Sequence, residues 1–211
     1  MHFVEESATG LERRMAETAE RMKAVARRLT AERGLTGFTV DELCTEVGVS
    51  RRTFFNYFAS KENAVLGLPA RLDVSEPIAR FLDGSAGPKS DGHSALSATL
   101  VDDFAALSVA RWEMLELTPD DIPLVVAAVD REPRLLAHML QLSTEGERED
   151  IELIERREGL EHGDVRAEIL VQTVGALLRG STNAFFDHDN TESFTDIFRR
   201  RLTAARDLFA L

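Results

Sequence analysis

Residues 39–62 read TVDELCTEVGVSRRTFFNYFASKE, and the local chemistry of this stretch dictates two short helices joined by a tight turn. Thr39 stands where a helix N-cap belongs, with Glu42 three residues on to complete a capping box. Leu43 and Val47 give a helix over Val40–Val47 its buried stripe, Gly48 permits a sharp turn, and Ser50 caps a third helix from Arg51 to Tyr57. Ser60 starts a fourth. Helix, glycine turn, helix at this spacing is what a helix-turn-helix requires. Leu43, Val47, Val49, Phe54 and Phe58 can lock the two helices together, which leaves Arg51, Arg52, Thr53, Phe55, Asn56 and Tyr57 outward or partly outward. That outward set offers guanidinium forks for guanine edges or phosphates, an amide for adenine, and aromatic or methyl groups for thymine methyls.

Upstream, Met15, Ala19, Met22, Val25, Ala26 and Leu29 recur at three- and four-residue intervals, predicting one amphipathic helix over 11–33 that ends at Gly34. Downstream, Pro69 and Pro77 interrupt the pattern before a short apolar stretch at 78–82, and GSAGPKSDG at 84–92 reads as a linker. Longer helices are expected over 94–117, 132–159, 164–186 and 191–209, with a smaller one at 120–129. The fold class is therefore all-α: a helix-turn-helix domain at 11–60 followed by a helical domain at 61–211.

Composition bounds the function. With 44% hydrophobic residues the 211-residue chain can bury a core, and no apolar run approaches the ~20 residues of a membrane span, so it reads as soluble and cytoplasmic. A lone cysteine, Cys44, excludes an intrachain disulfide framework and a Cys-cluster zinc site; it reads as a small buried hydrophobe, with a redox-sensing thiol as the alternative. The net charge of −12 is unevenly spread: residues 11–62 carry ten Lys or Arg against eight acids, so the rest holds the whole acidic excess. A DNA-facing region on an acidic body has this asymmetry. Nucleophile elbows, zinc-protease signatures and glycine-rich nucleotide loops are absent, the five His are scattered, and Asp187-His188-Asp189 reads as a polar connector between helices rather than a metal site. No enzyme and no cofactor is expected.

The segment Val-Gly-Val-Ser, two further residues, Thr-Phe-Phe-Asn-Tyr-Phe and Ser-Lys-Glu (47–62) resembles the tetracycline-repressor (TetR) family, as does Ala-Glu-Arg-Gly at 31–34; the resemblance covers about residues 15–68. It implies a recognition helix carrying Arg51, Arg52, Thr53, Asn56 and Tyr57, with Thr39 and Lys61 as phosphate contacts. Phe55 departs from the family's usual Tyr, which removes a hydroxyl and leaves thymine-methyl contact. The resemblance further implies a homodimeric repressor on a near-palindromic double-stranded operator, released when a small, apolar effector binds. Its dimer surface is expected on the last two helices, at Val174, Leu177, Leu178, Phe185, Phe194, Ile197 and Phe198, with Ala176 and Gly180 allowing close approach; a purely intramolecular core is the alternative for those stripes. The effector pocket is expected around Phe104, Arg111, Trp112, Met139 and Leu142, with His138 a second polar candidate; ordinary core and surface roles remain the alternative.

Overall fold

A computed structural model describes residues 2–84, 96–115, 117–118, 120–187 and 189–209, with side chains described from residue 13 to 208 of these and at Gly10. Among the described residues the chain is helical, without strands: α1 His2–Arg33, a 3-10 turn Leu35–Gly37, α2 Val40–Val47, α3 Arg51–Tyr57, α4 Lys61–Leu66, α5 Ser75–Asp83, α6 Leu100–Glu113, α7 Asp121–Arg131, α8 Pro133–Glu158, α9 Val165–Phe185 and α10 Phe194–Phe209. The all-α architecture, with a helix-turn-helix near the N-terminus and a helical remainder, is as the sequence implies.

Several boundaries differ from the sequence expectation, each for a local reason. Helix α1 begins at His2 rather than residue 11, running through Gly10. Pro77 does not break the chain; it lies in the first turn of α5, where its missing N–H has no intrahelical partner to lose. Helix α6 starts at Leu100 because Ser97 is diverted: its N–H and hydroxyl donate to the Glu158 carboxylate at 2.8 and 2.7 Å. Helix α10 starts at Phe194, with the hydroxyl of Ser193 accepting from the Asp196 N–H at 3.1 Å. The expected linker, beyond Gly84, and the expected helix start at Ser94 lie outside the described residues.

The chain folds as two compact units, 1–72 with 117–140 and 73–116 with 141–211. The first is built on Met22, Ala26 and Leu29 of α1, Leu43 and Val47 of α2, Phe54 of α3 and Ala64 to Leu66 of α4, with Ala128 of α7 and Leu135 of α8 in the same core. Burying each of these larger side chains contributes about 1.5–3 kcal/mol. Met15, expected on the buried stripe, is 48% exposed. The second unit packs Phe81, Phe104, Ile154, Val171, Val174, Phe194 and Phe198 together. Beside them Trp112 stacks on Phe194 with centroids 3.6 Å apart, and Phe185 meets the indole edge-on at 5.1 Å.

Candidate nucleic-acid interface

The helix-turn-helix owes its rigidity to capped ends. At the start of α2 the Glu42 N–H donates to the Thr39 hydroxyl at 3.2 Å, while the Glu42 carboxylate accepts from the Thr39 N–H at 2.7 Å and its hydroxyl at 2.9 Å. Those two donations hold the Glu42 carboxyl below its ordinary range. Gly48 ends α2 in the left-handed region at φ 79°, and Ser50 then caps α3 by accepting from the Thr53 N–H at 3.0 Å. Phe54 is fully buried and Phe58 nearly so, which forces the residues between and before them outward. Cys44 is buried too, and burial pushes its thiol pKa up, away from the reactive thiolate.

The structure brings the eight sequence-predicted interface residues onto α3 and the two cap regions beside it. Arg51, Arg52, Phe55, Asn56 and Thr39 are exposed, and Thr53, Tyr57 and Lys61 half-buried. Their states differ. Arg51 is engaged on both sides: Nη1 donates to Asp41 Oδ2 at 2.9 Å, and its guanidinium lies 5.7 Å from the Phe55 ring centre. Phe55 in turn meets Phe54 edge-on, centroids 5.3 Å apart. Arg52 and Asn56 make no side-chain hydrogen bond or ion pair among the described residues. The Thr53 hydroxyl is 2.8 Å from that of Ser50. Lys61 folds back on the turn before α2, donating to the Leu35 carbonyl and, at 3.0 Å, to that of Phe38, with the Phe38 ring centre 5.0 Å away. Its ammonium ties the N-terminal end of α4 to the Thr39 cap.

Sequence reasoning did not find what supports this surface from behind. Asp121, at the start of α7, is 5% exposed and accepts from Arg27 Nη1 at 2.6 Å, with Lys23 Nζ at 3.6 Å and the Thr118 hydroxyl and N–H at 2.8 and 3.1 Å. Burial alone would push its carboxyl up; the hydrogen bonds from Arg27 and Thr118 and the charge of Lys23 outweigh that and hold it at about 2. Arg27 also donates from Nε to the Val65 carbonyl of α4 at 2.9 Å, so one guanidinium joins α1, α4 and α7. His138 of α8 adds a second tie, Nε2 lying 2.7 Å from Oδ1 of the buried Asn63 in α4. The one sequence signal was Lys23 and Arg27 abutting the apolar stripe of α1, one helical turn apart.

In the second unit, α6, α8 and α9 line an open cavity of about 270 Å³ bordered by Phe104, Ser108, Leu142, Ser143, Gly146, Glu147, Asp150, Val171, Val174, Gly175, Leu178 and Arg179. Of the residues expected to form a pocket, Phe104 and Leu142 line it and Arg111 reaches its wall through Asp150, at 2.5 Å. Burial pushes the Asp150 carboxyl up despite that partner. Trp112 belongs instead to the aromatic cluster, and Met139 is 40% exposed within the first unit. Of the residues expected on a dimer surface, Val174, Phe194, Ile197 and Phe198 are at most 3% exposed, because they fill the unit's own core. Leu177, Leu178 and Phe185 are half-buried against it. Gly180 receives the Arg201 guanidinium of α10, which a Cβ there would meet at 2.8 Å. Among the described residues, the large apolar side chains left exposed on α9 and α10 are Val165, Ile169 and Leu208.

Among the described residues no group of three or more His, Cys, Asp or Glu could hold a metal, and no helix is long and apolar enough to cross a membrane; His188 lies outside the described residues.

A capped helix pair with a polar, aromatic and basic outer face defines a helix-turn-helix DNA-binding regulator. Residues 24–66 match the family model described as bacterial regulatory proteins, tetR family. Over 204 residues, covering 94% of this chain and 88% of the relative, the sequence is 28% identical to the HTH-type transcriptional regulator TcmR of Streptomyces glaucescens. Residues 24–66 thus carry the DNA-binding domain of the TetR family, a family of operator-binding transcriptional regulators rather than enzymes, and over nearly its whole length the chain is similar to a transcriptional regulator.

Proposed function

We propose that this chain is a cytoplasmic repressor that binds a near-palindromic operator as a homodimer and leaves it when a small effector occupies the cavity between α6, α8 and α9. The observation that carries the DNA-reading half is the outer face of α3, where Arg51, Arg52, Phe55 and Asn56 are exposed on a helix pinned by the buried Phe54. Residues 11–60 act as the DNA-binding domain and 61–211 as the effector-binding and dimerisation domain. Asn56 reads a base edge, Arg52 neutralises a phosphate, and Thr53, Tyr57, Thr39 and Lys61 contact the backbone or bases beside them. Two recognition helices must enter successive major grooves ~34–36 Å apart, which requires a dimer. The α9 and α10 surface with Val165, Ile169 and Leu208 supports that assembly through apolar area otherwise left in water.

Fluorescence anisotropy on the duplex upstream of the chain's own gene tests the reading. Arg51→Ala with Arg52→Ala is expected to weaken binding ~10²-fold or more and to lower the salt dependence. Unchanged affinity and slope would show that α3 is not the reading helix. A promoter-reporter assay with the chain present and absent separates repression from activation.

A further inference from the structure

We propose that Asp41 is a specificity-determining positioning residue: it turns Arg51 from a general cation for phosphates into a reader of one base pair in each half-site. The inference rests on α3 being the recognition helix. Asp41 is the second residue of α2 and Arg51 the first of α3, and the Gly48 turn and shared core fix these two helices as one body. The guanidinium has two neighbours, the Asp41 carboxylate accepting from Nη1 at 2.9 Å and the Phe55 ring, whose centre lies 5.7 Å from Cζ. Phe55, 43% exposed, has its own ring edge-on to the buried Phe54. The ion pair biases the fork before DNA arrives, and with Nη1 turned towards Asp41 of α2 the Nε–Nη2 edge remains for two acceptors side by side. A guanine offers that pair, O6 and N7, in the major groove, and the N-terminal residues of a recognition helix are the ones that reach base edges.

The carboxylate has a second effect. It cancels the charge of Arg51 as seen by phosphates, so Arg51 adds little to sequence-independent attraction, whereas Arg52, one residue on and without a described partner, adds its full charge. Asp41 lowers affinity for DNA in general and raises selectivity for one base pair.

Selection of bound sequences from a random double-stranded DNA library by the full chain, followed by anisotropy on the selected duplex and on a scrambled one, tests this. Arg51→Ala is expected to flatten preference at one base pair per half-site. Asp41→Asn should flatten the same pair at least about fivefold and tighten binding to the scrambled duplex about three- to tenfold, while Asp41→Glu retains the preference. Thermal melting of each variant shows that the fold is kept. If Asp41→Asn leaves that base preference intact, or weakens all sequences equally, the positioning role is overturned while the reading of α3 stands. If neither Arg51→Ala nor Arg52→Ala alters binding, the reading of α3 fails and this inference with it.

Discussion

Each of the two units buries an arginine, and they neutralise it differently. In the first, Arg27 meets Asp121, itself only 5% exposed, and Lys23 lies 3.6 Å from the same carboxylate while pairing with the exposed Glu20 at 2.6 Å. In the second, Arg157 pairs with Asp103, whose side chain is 31% exposed, and also has Glu158 at 3.4 Å, the Thr99 hydroxyl at 3.2 Å and the face of Phe81 at 4.4 Å. One cluster has two buried cations on a single buried anion. The other spreads one cation over several partners, one of them an aromatic ring. A buried pair weighs most on stability when losing one partner strands the other, so the first cluster is the brittle one.

The sharpest test removes the anion from each. Asp121→Ala should destabilise the first unit by about 3–5 kcal/mol, read as a lower urea midpoint with loss of operator binding. Asp103→Ala, with other partners left for Arg157, should cost about 1–2 kcal/mol; equal losses would erase the distinction. Acid offers a milder route to the same end. A carboxyl that ionises at about 2 in the folded chain, against an ordinary 3.8, stabilises fully above about pH 5 and loses that contribution as pH falls from about 4 to 2. Stability followed through acid titration should show this loss in the wild type and not in Asp121→Asn. Thr39→Ala removes one capping hydroxyl and should cost about 1 kcal/mol of unfolding free energy. The smallest effect runs the other way. Gly175 lies inside α9 on the cavity wall, where an added Cβ would meet only the end of Arg179, at 3.5 Å. Gly175→Ala should raise the melting temperature of the second unit through about 0.5–1 kcal/mol of helix stabilisation.

The helix-turn-helix was legible in the sequence because its boundaries are set by local chemistry. Thr39, Gly48, Ser50 and Ser60 each mark a helix end through a hydrogen bond or a positive φ within three residues, and α2 and α3 begin and end where those residues place them. The second unit was less legible because its ends answer to distant partners. Nothing near Ser97 announces that Glu158 will capture it and delay α6. Apolar stripes on α9 and α10 predicted helices correctly, yet periodicity does not say whether a stripe faces a symmetry mate or its own core, and Val174, Phe194, Ile197 and Phe198 face the core. The supports of the DNA-reading surface escaped for a similar reason: Arg27 and Asp121 are 94 residues apart, and no local pattern spans that distance.

That separation also orders events at the ribosome. Helices α1 to α4 emerge first, carrying every residue proposed to touch DNA, but Asp121, Ala128 and Leu135 follow only after the 44 residues between the two segments of the first unit. At roughly 5–20 residues per second the nascent chain waits several seconds with Lys23 and Arg27 still lacking Asp121. A polypeptide released early, or cut anywhere between 72 and 117, holds the complete helix-turn-helix and lacks the carboxylate around which its core closes.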